Sequence, residues 1–200
     1  MYSVKIYGAG SIGNHLSHAC RNKGWSVSVY DNDPEALDRM EKVIYPNRYK
    51  KWDKDINLMS SNDINEYYDI VIIGTPPESH VPIALQEIKS NQPPRLILIE
   101  KPLTTPDMTG CQELYDMAIN KKVTILCGYN HTLTDHTSKV DKLAALDNVS
   151  TCKSMHVQWL EHWGGIFNAH PWLAGPSDSY LGFNERGGGS TYEHSHGINI

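Results

Sequence analysis

The chain has 200 residues, of which 40% are hydrophobic and 20% are charged, and its formal net charge is −5 at pH 7. A mildly acidic chain without a basic block lacks the charge pattern of nucleic-acid-binding proteins. No apolar run approaches the roughly 20 residues that span a bilayer, and no signal-peptide pattern is present, so we predict a cytoplasmic protein without a membrane partner. The cysteines lack C-x-x-C spacing and are predicted to be free thiols (Cys20, Cys111, Cys127 and Cys152).

A glycine-rich turn follows the first predicted strand. Residues 3–7 have a strand pattern, residues 8–13 read GAGSIG, and residues 14–23 have a helical pattern. The glycines of this G-x-G-x-x-G motif allow a tight turn, the close approach of a pyrophosphate and close packing of the helix. The helix start also presents free N–H groups to phosphates. We therefore predict a dinucleotide site that includes Gly8, Gly10, Ser11, Ile12 and Gly13.

An acidic residue ends the second predicted strand. Residues 26–30 form this strand, and Asp31 follows it directly. A carboxylate at this place accepts hydrogen bonds from the ribose hydroxyls of an adenosine and repels a 2′-phosphate. We therefore predict NAD as the cofactor in preference to NADP, with Asp31 and its neighbour Asn32 in contact with it.

Further strands and helices alternate along the chain. Strands are predicted at residues 56–59, 68–74, 96–99 and 123–127, helices at residues 35–44, 81–89 and 105–121, and a surface loop at residues 45–55. Asp33 with Pro34 and Thr105 with Pro106 supply capping signals for two of these helices. Six strands alternating with helices predict an α/β fold, a doubly wound parallel Rossmann sheet that is complete by about residue 125.

The loop after residues 68–74 contains candidate cofactor contacts. Ligands of a doubly wound sheet bind beyond the carboxyl ends of its strands. Thr75, Pro76 and His80 lie in this loop, and we predict that they contact the cofactor. A structural role at the start of the next helix is an equally weighted alternative for His80.

The strand at residues 96–99 ends in Glu100-Lys101-Pro102. Pro102 biases Lys101 toward an extended conformation and permits a cis peptide bond before it. A solvated lysine at a strand end is the plain alternative to a functional one. With the glycine turn nearby in the sheet, we predict that Glu100 and Lys101 lie in the cofactor site.

Residues 126–200 are predicted to begin a second domain. A helix is expected at residues 138–146, a strand at residues 154–160, and a helix from residue 190, after an irregular stretch rich in aromatic residues and glycine. Glu193 and His196 would share one helix face. His194 and His196, two residues apart, do not converge on a metal, so no metal site is predicted. The aromatic residues either stack on a sugar ring or belong to the core (Trp159, Trp163, Trp172 and Tyr180).

The order of these motifs resembles the Gfo/Idh/MocA family, which includes glucose-fructose oxidoreductase and inositol dehydrogenase. The resemblance is carried by residues 8–13, Asp31, residues 75–76 with His80, residues 100–102, residues 128–130, and the glycine-rich stretch before Glu193 and His196. It implies a Rossmann domain at residues 1–125 and, at residues 126–200, the incomplete start of an α+β domain for substrate binding and homo-oligomerisation. The chain is therefore expected to be the N-terminal part of a longer protein.

The resemblance also implies an activity and a set of site residues. Family members are NAD(P)-dependent oxidoreductases that transfer a hydride between a nicotinamide and a secondary alcohol or ketone of a sugar, cyclitol or nucleotide sugar. By resemblance, Lys101 contacts the substrate and the nicotinamide ribose, and His196 donates or accepts the proton. The implied substrate contacts are Lys101, Asn130, His131, Glu193 and His196. Many members carry Asp where Glu193 stands and His four residues later, where this chain has Gly197, so the roles of Glu193 and His196 stay open.

The expected chemistry needs a proton acceptor and a stabilising charge. Histidine, with a pKa near neutrality, suits proton transfer, and a lysine ammonium stabilises negative charge that develops on the substrate oxygen. Glu193 would orient the imidazole or hold a substrate hydroxyl. Two alternatives stay open: an NAD-dependent glycosidase of the same family, and a dinucleotide-binding protein without catalysis.

Overall fold

The computed structural model describes residues 1–135, 137–139, 142, 154, 156, 158, 160 and 162–194. Six parallel strands form one sheet in the order β3-β2-β1-β4-β5-β6. Their bounds are β1 Ser3–Tyr7, β2 Ser26–Tyr30, β3 Ile56–Met59, β4 Ile70–Ile73, β5 Leu96–Ile99 and β6 Thr124–Cys127. The strand order reverses between β1 and β4, which confirms the predicted doubly wound Rossmann sheet and places its ligand crevice there.

Helices connect the strands and continue into the second half of the chain. They are α1 Ser11–Asn22, α2 Pro34–Arg39, α3 Tyr45–Tyr49, α4 Pro77–Lys89, α5 Cys111–Lys121, α6 Trp163–Ala169 and α7 Ser190–Glu193. A π-helical turn, Met40–Ile44, joins α2 to α3. Short 3-10 helices lie at Asn130–Leu133, Pro176–Asp178, Tyr180–Gly182 and Asn184–Arg186. In the part of the chain that the structure describes, no helix is long and apolar enough to span a bilayer.

The sheet is buried on both faces, as the apolar runs of its strands require. One face packs against α1 and α2, and its buried residues include Val4, Val27 and Met40. The other face packs against α4 and α5 and buries Ile97 and Ile99, among others. The two layers hold the carboxyl ends of β1, β4 and β5 side by side.

A charged pair lies inside the second layer. Lys5 on β1 is 1% exposed, and its Nζ donates to Glu87 Oε1 of α4 at 3.1 Å. The Tyr7 hydroxyl donates to the same carboxylate oxygen, and the ammonium lies 5.1 Å from the centre of the Tyr7 ring. A buried ion pair of this kind depends on both partners, because either one alone is an uncompensated buried charge.

The surface loop predicted at residues 45–55 is wrong in its first half. The chain continues through the π-helical turn into α3, and Tyr45 is 2% exposed. The Tyr45 ring lies 4.9 Å from that of Tyr49 and 5.1 Å from that of Trp52, and His18 of α1 stacks on Tyr49 at 3.6 Å. A segment that looks polar in the sequence is therefore folded by its aromatic rings packing on one another and on α1.

Two predicted helix starts are also displaced. The helix predicted from residue 81 begins at Pro77, because proline suits the first turn, and His80 is therefore helical. The helix predicted after Thr105 and Pro106 begins only at Cys111, because Gly110 has a φ of 81° and cannot continue a helix toward the N-terminus. The helix predicted from residue 190 is present as α7, and the helix and strand predicted at 138–146 and 154–160 fall largely outside the described residues.

Candidate functional site

A cavity of about 700 Å³ opens at the carboxyl ends of β1, β2 and β4, and we call it the Asp31 cavity. Asp31 lies in its wall, where one carboxylate oxygen accepts from the Ala9 N–H at 2.8 Å and the other from the Asp33 N–H at 2.9 Å. The acid is thus fixed against the glycine turn. The other lining residues include Gly8, Gly10, Tyr30, Asn32, Arg39, Asn62, Gly74, Thr75, Pro76 and Trp172.

The glycine turn has the shape that a pyrophosphate needs. A Cβ on Gly13 would lie 1.9 Å from the Gly8 carbonyl oxygen, and one on Gly8, whose φ is 101°, would lie 2.9 Å from the Gly74 oxygen. Among the residues that the structure describes, a Cβ on Gly10 would meet nothing within 4 Å. Gly8 and Gly13 are therefore required by the fold, whereas the space beside Gly10 is open for a phosphate group, so these residues fit a dinucleotide.

We expect the substitution Gly10→Ala to weaken NAD binding by about tenfold or more, because its methyl group enters the open space beside the turn. Its φ of −78° is accessible to alanine, so the free energy of unfolding should change by no more than about 0.5 kcal/mol. Gly165→Ala in α6, where a Cβ also meets nothing within 4 Å, is the matched control. Titration calorimetry and denaturant unfolding measure the two quantities, and unchanged NAD affinity in Gly10→Ala would contradict the assignment.

A second cavity of about 240 Å³ lies at the carboxyl end of β5, and we call it the Lys101 cavity. Lys101 Nζ donates to Glu193 Oε1 at 2.6 Å and to the Glu193 backbone oxygen at 3.0 Å. The Tyr180 hydroxyl donates to Glu193 Oε2 at 3.3 Å. The Lys101–Pro102 peptide bond is cis, which is the conformation that the sequence permits. A cation, a carboxylate and a phenol thus meet in one small cavity.

Burial changes the acidity of two groups in this cavity. Burial raises the pKa of Glu100, and the negative charge of Glu193 adds to that effect while the Lys101 ammonium opposes it. Burial also raises the pKa of Tyr180, with Glu193 as the next cause. The Glu100 carboxylate packs on Gly128, where a Cβ would lie 2.9 Å from Oε1. Because its pKa is raised, Tyr180 stays protonated at neutral pH, and its hydroxyl donates the hydrogen bond to Glu193.

The second half of the chain reaches the sheet through its glycine-rich segment. Gly187 packs on Pro77 and Pro102. A Cβ on Gly188 would lie 2.0 Å from the backbone carbonyl oxygen of Tyr180. The Arg186 guanidinium pairs with Glu78 at the start of α4. Close backbone approach at these glycines is what brings α7, and with it Glu193, to Lys101.

The two cavities meet at the glycine turn. Both are lined by Gly10, Gly74, Thr75, Pro76 and Trp172. The Asp31 cavity ends beside the acid of β2, and the Lys101 cavity ends beside the lysine of β5. Together they form one elongated depression across the switch point of the sheet.

The structure brings together most of the residues predicted for the cofactor site. Ser11, Ile12, Glu100 and Lys101 line the Lys101 cavity, and Asn32 lines the Asp31 cavity. Asn130 lies in the 3-10 helix after β6 and is exposed. His196 and the side chain of His131 lie outside what the structure describes.

His80 lies behind the cavity wall. It is 1% exposed, and its ring nitrogens lie 2.9 Å from the Pro102 oxygen and 2.7 Å from the Thr75 oxygen. Burial lowers the pKa of its imidazole. Because it joins the loops after β4 and β5, we assign His80 a positioning role, which is the structural alternative open in the sequence.

Several residues near the site gave no recognisable signal in the sequence. Arg48 of α3 donates to the Ser11 oxygen at 2.8 Å and to Ser11 Oγ at 2.7 Å, which brings a positive charge to the start of α1. Arg39 lies 5.2 Å from the Trp172 ring at the Asp31 cavity. Asn62 lines the same cavity. Each depends on a contact between distant parts of the chain, so local sequence patterns could not reveal it.

Within residues 1–135 and 162–194 and the few described between them, no three His, Cys, Asp or Glu side chains are grouped to hold an ion. Burial raises the pKa of the Cys127 thiol to about 11, so that sulfur is a poor ligand at neutral pH.

A family model described as an oxidoreductase family with an NAD-binding Rossmann fold, Gfo/Idh/MocA, matches residues 2–129. No curated protein matches the chain. Among solved structures, the chain is similar to scyllo-inositol dehydrogenase from Lactobacillus casei with bound NAD(H) and scyllo-inositol, at 14% identity and a TM-score of 0.56, covering 75% of this chain and 42% of that one.

Two further solved structures are similar to the same extent. Myo-inositol 2-dehydrogenase from Lactobacillus plantarum matches at 16% identity and a TM-score of 0.56, over 75% of this chain and 42% of that one. Myo-inositol dehydrogenase from L. casei in complex with NAD(H) and myo-inositol matches at 19% identity and a TM-score of 0.54, over 74% and 42%. The chain spans less than half the length of these proteins, and the likeness shows the fold.

Proposed function

The chain belongs to the Gfo/Idh/MocA family of oxidoreductases, and we propose that it serves an NAD-dependent enzyme acting on a secondary alcohol or ketone. We propose a sugar, cyclitol or nucleotide sugar as substrate, since solved relatives bind inositols. Residues 1–125 would form the NAD-binding domain, and residues 126–200 would begin the substrate domain. Homo-oligomerisation through that second domain and a cytoplasmic location stay predictions.

One observation carries this proposal: the Asp31 and Lys101 cavities meet at the glycine turn. A dinucleotide is a long ligand whose pyrophosphate lies between its two nucleosides. With the pyrophosphate at the helix start of α1, the adenosine fits the larger cavity beside Asp31. The nicotinamide half then faces the smaller cavity, where Lys101 and Glu193 lie.

The residues of the Lys101 cavity suit alcohol oxidation and its reverse. When bound, the nicotinamide supplies the hydride acceptor or donor. Lys101 would hold the substrate oxygen through its ammonium group and stabilise negative charge as the hydroxyl proton leaves. Glu193, already bound to Lys101 at 2.6 Å, would hold a substrate hydroxyl or orient His196, to which we assign proton transfer.

The cofactor preference has a separate test. We expect Asp31→Ala to weaken NAD binding by about 10- to 100-fold, because charge-assisted hydrogen bonds to the ribose are lost. NADP binding should change much less, because the repulsion of its 2′-phosphate disappears together with the acid. Asp38→Ala, at an exposed aspartate of α2, is the control. Calorimetry measures the dissociation constants of both cofactors. An equal loss of affinity for NAD and NADP would mean that Asp31 only supports the Ala9 N–H.

The reaction itself is tested by product analysis. The protein is incubated with NAD and a panel of cyclitols, sugars and their glycosides, and NADH and sugar products are measured together. Net NADH formation with an oxidised product supports the proposal. Bond cleavage without net NADH formation would point to a glycosidase, and NAD binding without turnover would point to a protein without catalysis.

A further inference from the structure

The carboxylate of Glu193 is held by two donors in the Lys101 cavity. Lys101 Nζ donates to Oε1 at 2.6 Å, and the Tyr180 hydroxyl donates to Oε2 at 3.3 Å. The side chains of Lys101 and Glu193 are only 14% and 18% exposed. Because the carboxylate of an ion pair only accepts hydrogen bonds, the tyrosine is the donor of the second contact.

The contact with Lys101 alone does not fix the direction of this carboxylate. Lysine and glutamate both have long, flexible side chains, and an ion pair between them leaves the carboxylate free to turn about the shared contact. A donor on the second oxygen removes that rotation, so the Tyr180 hydroxyl defines the plane of the group. The two contacts use two of the roughly four acceptor sites of a carboxylate, which leaves acceptor capacity for a substrate hydroxyl or for His196.

The backbone of Tyr180 is tied to the segment that carries Glu193. A Cβ on Gly188 would lie 2.0 Å from the Tyr180 carbonyl oxygen, so the two backbones are in direct contact. The Gly189 N–H donates to the Leu181 oxygen at 2.9 Å, and the Glu193 N–H donates to the Gly189 oxygen at 3.0 Å. These contacts join the start of the Tyr180–Gly182 helix to the first turn of α7. The ring and the carboxylate are therefore held on one connected piece of backbone.

We propose that Tyr180 is a positioning residue that fixes the Glu193 carboxylate for its part in the reaction. This inference rests on the proposed function. It gives Tyr180 a role other than the two that the sequence leaves open, stacking on a sugar ring and filling the core. Burial raises the pKa of Tyr180, with Glu193 as the next cause, so its proton stays in the hydrogen bond at neutral pH. Tyr180 therefore acts through Glu193 and exchanges no proton with the substrate.

The first test removes only the hydroxyl group. Tyr180→Phe should lower kcat/KM for the best substrate of the panel by about 5- to 20-fold, because a hydrogen bond to a charged group is lost. The dissociation constant for NAD should stay within about twofold of its original value, since the ring is kept. Tyr115→Phe is the control, because Tyr115 of α5 is 62% exposed and lines neither cavity.

A double-mutant cycle with Glu193 separates positioning from a structural role. In Glu193→Ala no carboxylate remains to be positioned, so the addition of Tyr180→Phe should change kcat/KM by less than about twofold. Single-turnover measurements with excess enzyme extend the comparison to slow variants. A tyrosine that only filled the core or stacked on the substrate would lower the rate by the same factor in both backgrounds.

The outcomes distinguish this inference from the proposed function. A full rate in Tyr180→Phe, or an equal loss with and without Glu193, would overturn the role of Tyr180 and leave the proposed function intact. If Tyr180→Phe fails to fold or loses NAD binding together with activity, Tyr180 is a structural residue and the inference is also overturned. An unaltered protein that binds NAD but turns over none of the panel would overturn the proposed function, and this inference with it.

Discussion

Replacing Lys101 with methionine is expected to lower the turnover number by about 10²- to 10³-fold, the usual effect of removing one preorganised donor to a developing oxyanion. Methionine keeps most of the length of the side chain and loses its charge. The ammonium lies in the Lys101 cavity, where its loss would remove at most one contact with the nicotinamide half, so the affinity for NAD should fall by no more than about tenfold. Steady-state kinetics with the best substrate of the panel and NAD titration give the two values.

The control for this experiment is Lys51→Met, which removes an exposed lysine that lines neither cavity and should leave turnover unchanged. If the Lys101→Met enzyme turns over at the full rate and still binds NAD, Lys101 is an ordinary solvated lysine at the end of a strand and has no catalytic role. A parallel loss of NAD binding and unfolding stability would instead give Lys101 a structural role.

Replacing Glu87 with leucine is expected to destabilise the protein by about 3–5 kcal/mol, because Lys5 is left as a buried charge without its partner. The Tyr7 hydroxyl loses its acceptor in the same variant. The double variant Lys5→Met with Glu87→Leu should regain much of this loss, because an apolar pair of similar volume replaces the ion pair. Denaturant unfolding at neutral pH measures the free energy for each variant.

The matched control is the exposed pair of Lys89 and Glu113, whose nitrogen and oxygen atoms lie 2.6 Å apart with half of each side chain exposed. Glu113→Leu should cost less than about 1 kcal/mol, since exposed ion pairs contribute little. If Glu87→Leu costs no more than Glu113→Leu, the buried ion pair does not stabilise the fold in the way described.

The sheet and the cofactor half of the site could be predicted because their signals are local. The apolar runs of β4 and β5, the glycines of residues 8–13 and the acid after β2 each lie within a few consecutive residues, and the parallel topology follows from their alternation with helices. The family resemblance added Glu193, which no local pattern joins to Lys101. The structure brings the two together across 92 positions of the chain.

Sequence patterns leave a residue's role undecided where the neighbours that decide it are distant in the chain. Tyr45 reads as part of a polar loop until its ring is seen against Trp52 and α1. Asn62 has no signal in the sequence, and its place at the Asp31 cavity depends on a hydrogen bond to Tyr7, 55 positions away. The sequence position of His80 suits a cofactor contact, but in the structure its two ring nitrogens lie at hydrogen-bond distance from the Pro102 and Thr75 oxygens. Tertiary contacts decide in each case what local propensity leaves open.

The most direct test of the central claim is the crystal structure of the protein grown with NAD. We predict the pyrophosphate at the glycine turn, the adenosine ribose hydroxyls within hydrogen-bond reach of the Asp31 carboxylate, and the nicotinamide at the Lys101 cavity. A dinucleotide bound elsewhere, or one at the glycine turn whose nicotinamide lies away from Lys101 and Glu193, would contradict the account.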